Sequence, residues 1–166
     1  MDCIEFRGKQ YPTFQSLGNA SQFAIPFATH VCKGKGYDIG FGKEEWKLPN
    51  AIGIDLNLNN SYHADSLPEE QVDYIYSSHC LEHVDNWVKT LEYWISKLKK
   101  GGILFLYLPD FSQTYWRPWH NAKHKHCFTS DILYEFLFDH GMGHIFRSGV
   151  DLNNSFMIMC EKTNDN

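Results

Sequence analysis

Between Gly36 and Lys162 the apolar residues fall in short runs of strand length, separated by loops and by amphipathic stretches. The runs Tyr37–Gly40, Ala51–Leu56, Val72–His79, Ile103–Pro109, His144–Val150 and Ser155–Lys162 predict strands, with a further short one near Tyr62–Asp65. Two stretches predict helices. From Asp85 to Lys99, the residues Trp87, Val88, Leu91, Trp94, Ile95 and Leu98 recur at spacings of one, three and four, and Gly101-Gly102 supplies a stop. From Ser130 to His140, Ser130 is a candidate cap and Ile132, Leu133, Phe136 and Leu137 a candidate buried stripe. Upstream lie the turn residues Gly8, Pro12 and Gly18, then Asn19, which can cap a short helix that Pro26 would end or kink. Strand, helix and strand in alternation imply an α/β fold with a mostly parallel sheet. The last two strands, joined by Asp151-Leu-Asn-Asn154, imply an antiparallel hairpin at its edge.

The length of 166 residues argues for a single domain over 1–166, divided into an N-terminal helical segment (1–35), a sheet core (36–162) and a disordered tail (163–166). The 43% apolar content is enough for a self-sufficient core. A formal charge of −5 and no Lys/Arg run longer than two give no electrostatic footprint for a duplex, so nucleic acid is not expected as a tight partner. The five cysteines are odd in number and form no C-x-x-C, which fits neither a disulfide framework nor a zinc ribbon and points to a reducing, cytoplasmic setting. The longest apolar run, Ile103–Pro109, is far below the roughly 20 residues that span a bilayer, so no membrane association is expected. The sequence carries no signal for an oligomeric state.

Five stretches carry candidate chemistry. Tyr37-Asp-Ile-Gly-Phe-Gly42 is a strand running into a D-x-G-x-G turn, where glycine lets the backbone approach a ligand; an ordinary tight turn has the same residues. Ile52-Gly-Ile-Asp55-Leu56 places an acid at the end of the next strand, the position from which nucleotide-binding sheets hold two ribose hydroxyls. Ala64-Asp65-Ser-Leu-Pro68 offers a further acid, able to face an adenine amino group or simply to cap a turn. Ser77-Ser-His-Cys-Leu-Glu-His83-Val ends the strongest strand, and Leu98-Lys-Lys-Gly-Gly-Ile-Leu leads into the next. Glu82 and His83 read as residues that fix that loop or begin the following helix.

These five stretches in this order resemble the class I S-adenosylmethionine-dependent methyltransferases, over roughly residues 36–162. Asp73-Tyr-Ile-Tyr-Ser-Ser-His-Cys-Leu-Glu-His-Val84, followed by a helix and Leu-Lys-Lys-Gly-Gly-Ile-Leu, is similar to small bacterial members of the type 11 group. His124-Lys-His-Cys-Phe-Thr-Ser130 is similar to the segment those proteins carry before their last helix. The resemblance implies a minimal Rossmann-like methyltransferase with S-adenosyl-L-methionine as cofactor. Asp38, Gly40 and Gly42 match the motif around the methionine end of that cofactor, Asp55 with Leu56 the ribose site, Asp65 the acid near adenine, and Ser78 and His79 the loop under the sulfonium. Two features depart from the pattern: Glu44 stands where a third glycine is usual, and nine residues between Gly42 and Ile52 leave no room for the usual crossover helix.

Methyl transfer needs alignment and at most one base, and histidine titrates near neutral pH; His79 is the first candidate and His124 the second. The aromatic segment Tyr115-Trp-Arg-Pro-Trp-His-Asn-Ala-Lys-His-Lys-His-Cys127 follows the strand ending at Pro109. Trp116, Arg117 and His126 could stack on or hydrogen-bond a sugar or other polar ring. Its His120, His124, His126 and Cys127 are adequate zinc ligands but match no standard spacing, so no metal is expected. Gln22 could reach cofactor or substrate if residues 1–35 form a lid. The implied function is methyl transfer to a small molecule or glycan. Two alternatives stand beside it: a protein that binds the cofactor without turnover, and an aminopropyl transferase of the same fold. A nicotinamide-dependent dehydrogenase is disfavoured because G-x-G-x-x-G is absent.

Overall fold

The computed structural model describes residues 2–13, 18–56 and 62–164. Its centre is a six-stranded sheet of β3 (Gly36–Ile39), β4 (Ile52–Ile54), β5 (Val72–Ser78), β6 (Leu98–Pro109), β7 (Met142–Arg147) and β8 (Ser155–Lys162), in the spatial order β4-β3-β5-β6-β8-β7. The pairs β3·β4, β3·β5 and β5·β6 are parallel; β6·β8 and β7·β8 are antiparallel, the edge hairpin that the two C-terminal runs imply. Among the described residues, three α-helices cover the sheet: α1 (Ile25–Val31), α2 (Trp87–Lys97) and α3 (Ser130–Asp139).

Side chains alternate across the strands with a period of two, and each face has its own partner. Ile75, Leu104, Leu106 and Leu108 pack with Leu91, Trp94 and Leu133 beneath α2 and α3. Tyr74, Tyr76, Phe105 and Tyr107 pack with Ala28 of α1 and with Ala24 just before it on the opposite face. Removing the fully buried Leu106 side chain to alanine would cost roughly 2–5 kcal/mol by cavity formation.

Several boundaries differ from those the sequence implies, each for a local reason. Pro26 begins α1 rather than ending a helix, because the first turn has no N–H partner to lose; the residues before it, Ala20–Phe23, form a 3-10 turn. Asn19 adopts a left-handed conformation and caps nothing with its side chain. The caps of α2 and α3 are Asn86 and Thr129, one residue before each helix. Ile132 on α3 is exposed. Gly101-Gly102 does not stop α2: the helix ends at Lys97 and the chain enters β6 directly at Leu98, which pairs with Val72. Tyr62–Asp65 forms no strand in a ladder; among the described residues there is an isolated bridge between His63 and Ser66.

Residues 1–35 contain a second element that the sequence reading did not anticipate. Strands β1 (Cys3–Phe6) and β2 (Lys9–Pro12) form an antiparallel hairpin turned by Arg7-Gly8, both at positive φ, the backbone that two-residue hairpin turns require. Of the expected tail 163–166, Thr163 is held by a hydrogen bond from its hydroxyl to the Gly141 carbonyl; residues 165–166 lie outside the described residues. No helix among the described residues is long and apolar enough to cross a membrane.

Candidate active site

From β3 the chain moves to β4 on one side and later returns to lay β5 on the other, so the carboxyl ends of β3 and β5 flank the point where open α/β sheets bind ligands. A cavity of about 300 Å³ opens there, lined among others by Gly40, Gly42, Trp46, Ser78, His79, Glu82 and His124. The loop after β3 forms one wall. Gly40 and Gly42 both have positive φ, and a side chain at Gly40 would also lie 2.5 Å from the Cys80 side chain. Asp38 is buried under the loop, with Oδ2 accepting from Leu48 N at 2.6 Å and Oδ1 left without a partner; burial pushes its carboxyl up to about 7. Asp55 reaches back from the end of β4 and accepts a hydrogen bond from Gly42 N at 2.9 Å.

The loop after β5 forms the facing wall. His79 is a non-glycine residue in the left-handed region (φ 49°), held by its N–H to the Tyr107 carbonyl at 2.8 Å. Its Nε2 lies 3.0 Å from Ser155 Oγ, and Ser155 donates to the Asn153 carbonyl. With that hydroxyl proton committed, His79 donates through Nε2–H and turns the Nδ1 lone pair toward Glu82. Burial pushes His79 down to about 3, helped by the neighbouring His124 and His83, so the near-neutral titration expected of this histidine does not hold and its ring is neutral at pH 7. His124 is pushed down to about 4, first by burial and then by His83. Glu82 is fully buried, and burial drives its carboxyl up to about 7.

The third wall comes from the aromatic segment. The loop 123–126 is laced to 82–84: Lys125 N and His126 N donate to the Glu82 carbonyl at 2.7 and 3.2 Å, and His83 Nδ1 meets the Lys123 carbonyl at 2.7 Å. This lacing sets His124 against Trp116, ring on ring at 5.3 Å, inside the cavity. The N-terminal hairpin packs on the outer side of the same segment, with Phe6 edge-on to Tyr115 and to His120.

Of the residues singled out from sequence, Gly40, Gly42, Ser78, His79, Trp116 and His124 therefore line one cavity. Asp38 and Asp55 support its floor. The others lie apart from the lining. Leu56 is 82% exposed, and Gln22 is exposed on the 3-10 turn whose Asn19 and Ser21 do reach the cavity. Asp65 accepts from Thr90 Oγ1 at 2.6 Å and ties its loop to α2. Arg117 stacks over Phe111 and donates to the Phe111 carbonyl, and His126 Nε2 meets the Val84 carbonyl at 2.8 Å; both line a smaller cleft behind Trp116 and His124. Sequence reasoning missed Glu82, Gln113 and Asn153 as cavity residues. Glu82 carried a signal in its place beside two histidines. Gln113 and Asn153 carried none, because only the fold brings their loops together.

A family model described as a methyltransferase domain matches residues 18–142, and the chain belongs to that family. No curated protein matches the sequence. Solved structures share the fold at low identity. A Thermotoga maritima S-adenosylmethionine-dependent methyltransferase, described as a possible histamine N-methyltransferase, superposes with a TM-score of 0.69 at 17% identity, over 91% of this chain and 95% of that one. An Archaeoglobus fulgidus S-adenosylmethionine-dependent methyltransferase gives 0.61 at 18% identity over 95% and 96%. A Haemonchus contortus phosphoethanolamine N-methyltransferase, solved with phosphomonomethylethanolamine and S-adenosylhomocysteine, gives 0.66 at 12% identity over 86% of this chain and 52% of that one. Family and fold together imply S-adenosyl-L-methionine as the cofactor. The cavity fits such a group: Gly40 and Gly42 keep its wall free of side chains at those two positions of the turn, and Gln113 Oε1 at its edge is buried without a partner.

Proposed function

We propose that the chain transfers a methyl group to a small polar acceptor, a small molecule or a sugar, within the cavity between the glycine loop and the His79 loop. The observation that carries this reading is the cavity's position beyond the carboxyl ends of β3 and β5, with Gly40 and Gly42 on one side and His79 on the other. S-adenosyl-L-methionine, when bound, supplies an electrophilic methyl group. Gly40, Gly42, Ser78 and the floor acids Asp38 and Asp55 are the residues assigned to hold it, with Leu56 and Asp65, outside the cavity lining, assigned to its ribose and adenine end. His79, its ring fixed by the Ser155 bond and its Nδ1 on the cavity side 3.6 Å from Glu82 Oε1, is assigned to take the proton that the acceptor loses as its new bond forms. His124 and Trp116 present a flat wall on which a ring can stack. Arg117, His126 and Gln22 are assigned to the outer approach.

The reading is tested by titrating the full chain with S-adenosylhomocysteine in a calorimeter and then assaying labelled methyl transfer to a panel of amines, hydroxyl compounds and sugars. Stoichiometric binding with a methylated product supports it. Binding without product across the panel favours a cofactor-binding protein without turnover, and no binding overturns both.

A further inference from the structure

The wall opposite the glycine loop holds a cluster that methyl transfer does not require. Glu82, His83 and His124 each bring one metal-ligating atom to within 4.8 Å of the others. Glu82 Oε1 lies 3.7 Å from His83 Nε2. Both Glu82 carboxylate oxygens are buried with no hydrogen-bond partner, and the side chain is 0% exposed. A carboxylate in that position is costly unless a positive charge compensates it. His83 is already oriented as ligating histidines are: the Lys123 carbonyl can only accept, so Nδ1–H donates to it at 2.7 Å and Nε2 is turned toward Glu82. His124, buried and stacked on Trp116, meets the His83 ring edge-on with centroids 4.7 Å apart. The hydrogen bonds from Lys125 N and His126 N to the Glu82 carbonyl fix the two chain segments against each other, so the cluster is built into the backbone. Around a tetrahedral zinc ion, ligand atoms stand about 3.4 Å apart. The 3.7 Å separation of Glu82 and His83 is a small side-chain rotation from that spacing.

We propose that Glu82, His83 and His124 form a binding site for a divalent transition-metal ion of the zinc class, with an open coordination position facing the cavity. Two imidazoles and one carboxylate are a donor set that such ions favour, and three protein ligands leave room for an oxygen of a bound molecule. The ligand recognised at the open position is therefore an acceptor bearing a hydroxyl or carboxylate oxygen. That use of the ion rests on the methyl-transfer reading; occupancy of the site does not. His124 is then a ligand, and the proton-accepting place belongs to His79 alone.

The test begins with the full chain stripped by a chelator and titrated with zinc chloride in a calorimeter, with cobalt(II) as a spectroscopic substitute. One ion per chain is expected, with cobalt bands of a tetrahedral site and a zinc-dependent rise in melting temperature. Glu82→Gln, His83→Gln and His124→Ala should each weaken zinc binding by at least about 100-fold, since loss even of a supporting partner costs up to that much. His30→Ala, exposed on α1, should leave it unchanged. If Glu82→Gln fails to fold, the two histidine variants carry the test. Absence of stoichiometric binding, or full affinity in the histidine variants, overturns the proposal. S-adenosylhomocysteine titrated in parallel separates the two readings: binding of zinc alone overturns methyl transfer and supports the metal site, and binding of S-adenosylhomocysteine alone does the reverse.

Discussion

The two loops that leave the sheet at the cavity are built in opposite ways. In the turn that leaves β3 at the cavity, the residues at positive φ are the glycines Gly40 and Gly42, and their backbone N–H groups are taken up: Gly40 N by the Ile54 carbonyl at 2.7 Å and Gly42 N by Asp55. After β5, the residue at positive φ is a histidine, and the loop buries a carboxylate without a hydrogen-bond partner. A left-handed non-glycine residue costs on the order of 1–3 kcal/mol, and a buried unpaired polar group a comparable amount. Strain at a non-glycine residue and a carboxylate unpaired at both oxygens thus gather on the wall assigned to chemistry, whereas the opposite wall puts glycine at its left-handed turn positions and leaves one carboxylate oxygen, Asp38 Oδ1, unpaired. On the proposed function, changes in the β5 loop should act on turnover and changes in the β3 loop on binding.

The largest expected effect tests the strained wall. His79→Asn keeps a residue that tolerates the left-handed backbone and removes the imidazole. Turnover with the identified acceptor should fall roughly 10²- to 10⁴-fold with S-adenosylhomocysteine affinity nearly intact. Turnover at the wild-type rate would place the proton acceptor elsewhere.

The next effect is a pH dependence beneath the glycine wall. Because burial raises Asp38 to about 7, the folded chain keeps a proton that the unfolded chain releases from about pH 4 upward. The contribution of Asp38 is therefore most favourable below pH 4 and is lost as pH rises toward 7, by roughly 4 kcal/mol at the upper bound for a displacement of that size. Asp73, held low by Lys99, works in the opposite direction on its exposed surface. Urea unfolding of wild type and Asp38→Asn at pH 4, 5.5 and 7 isolates the Asp38 part; parallel profiles for the two would show that Asp38 ionises normally.

Gly40→Ala should destabilise the fold by roughly 2–4 kcal/mol, from the left-handed backbone and from overpacking against Cys80. A second change, Cys80→Gly, should relieve the packing part and leave the backbone part. Equal urea midpoints for Gly40→Ala and wild type would remove the case that this wall is fixed by glycine.

The smallest of the four is on binding. Asp55→Ala releases Gly42 N and removes the acid assigned to the ribose, and loss of a charged hydrogen bond contributes roughly 1.5–3 kcal/mol. S-adenosylhomocysteine should bind at least tenfold more weakly by calorimetry to the folded variant. Unchanged affinity would confine Asp55 to holding the loop.

The pattern of apolar positions was enough to define the sheet core and its class, because strand burial and helix amphipathicity repeat at fixed local periods. Val72–Ser78 and Ser155–Lys162 were legible almost to the residue, and the Asp38–Gly42 and Ser77–Val84 stretches marked the two walls. Boundaries were not so legible. The pairing of Leu98 with Val72 draws the chain into β6 before the glycines that looked like the helix stop, and hydrogen bonding to a neighbouring strand leaves no local trace. Glu82 shows the same limit at the site. Beside two histidines in sequence it could equally fix a loop, and only the lacing of 82–84 to 123–126 buries its carboxylate and brings His124 to it. The sequence by itself determined the fold class and the two loops that wall the cavity; tertiary structure decided which side chains face one another, because burial and mutual distance are properties of segments far apart in the chain.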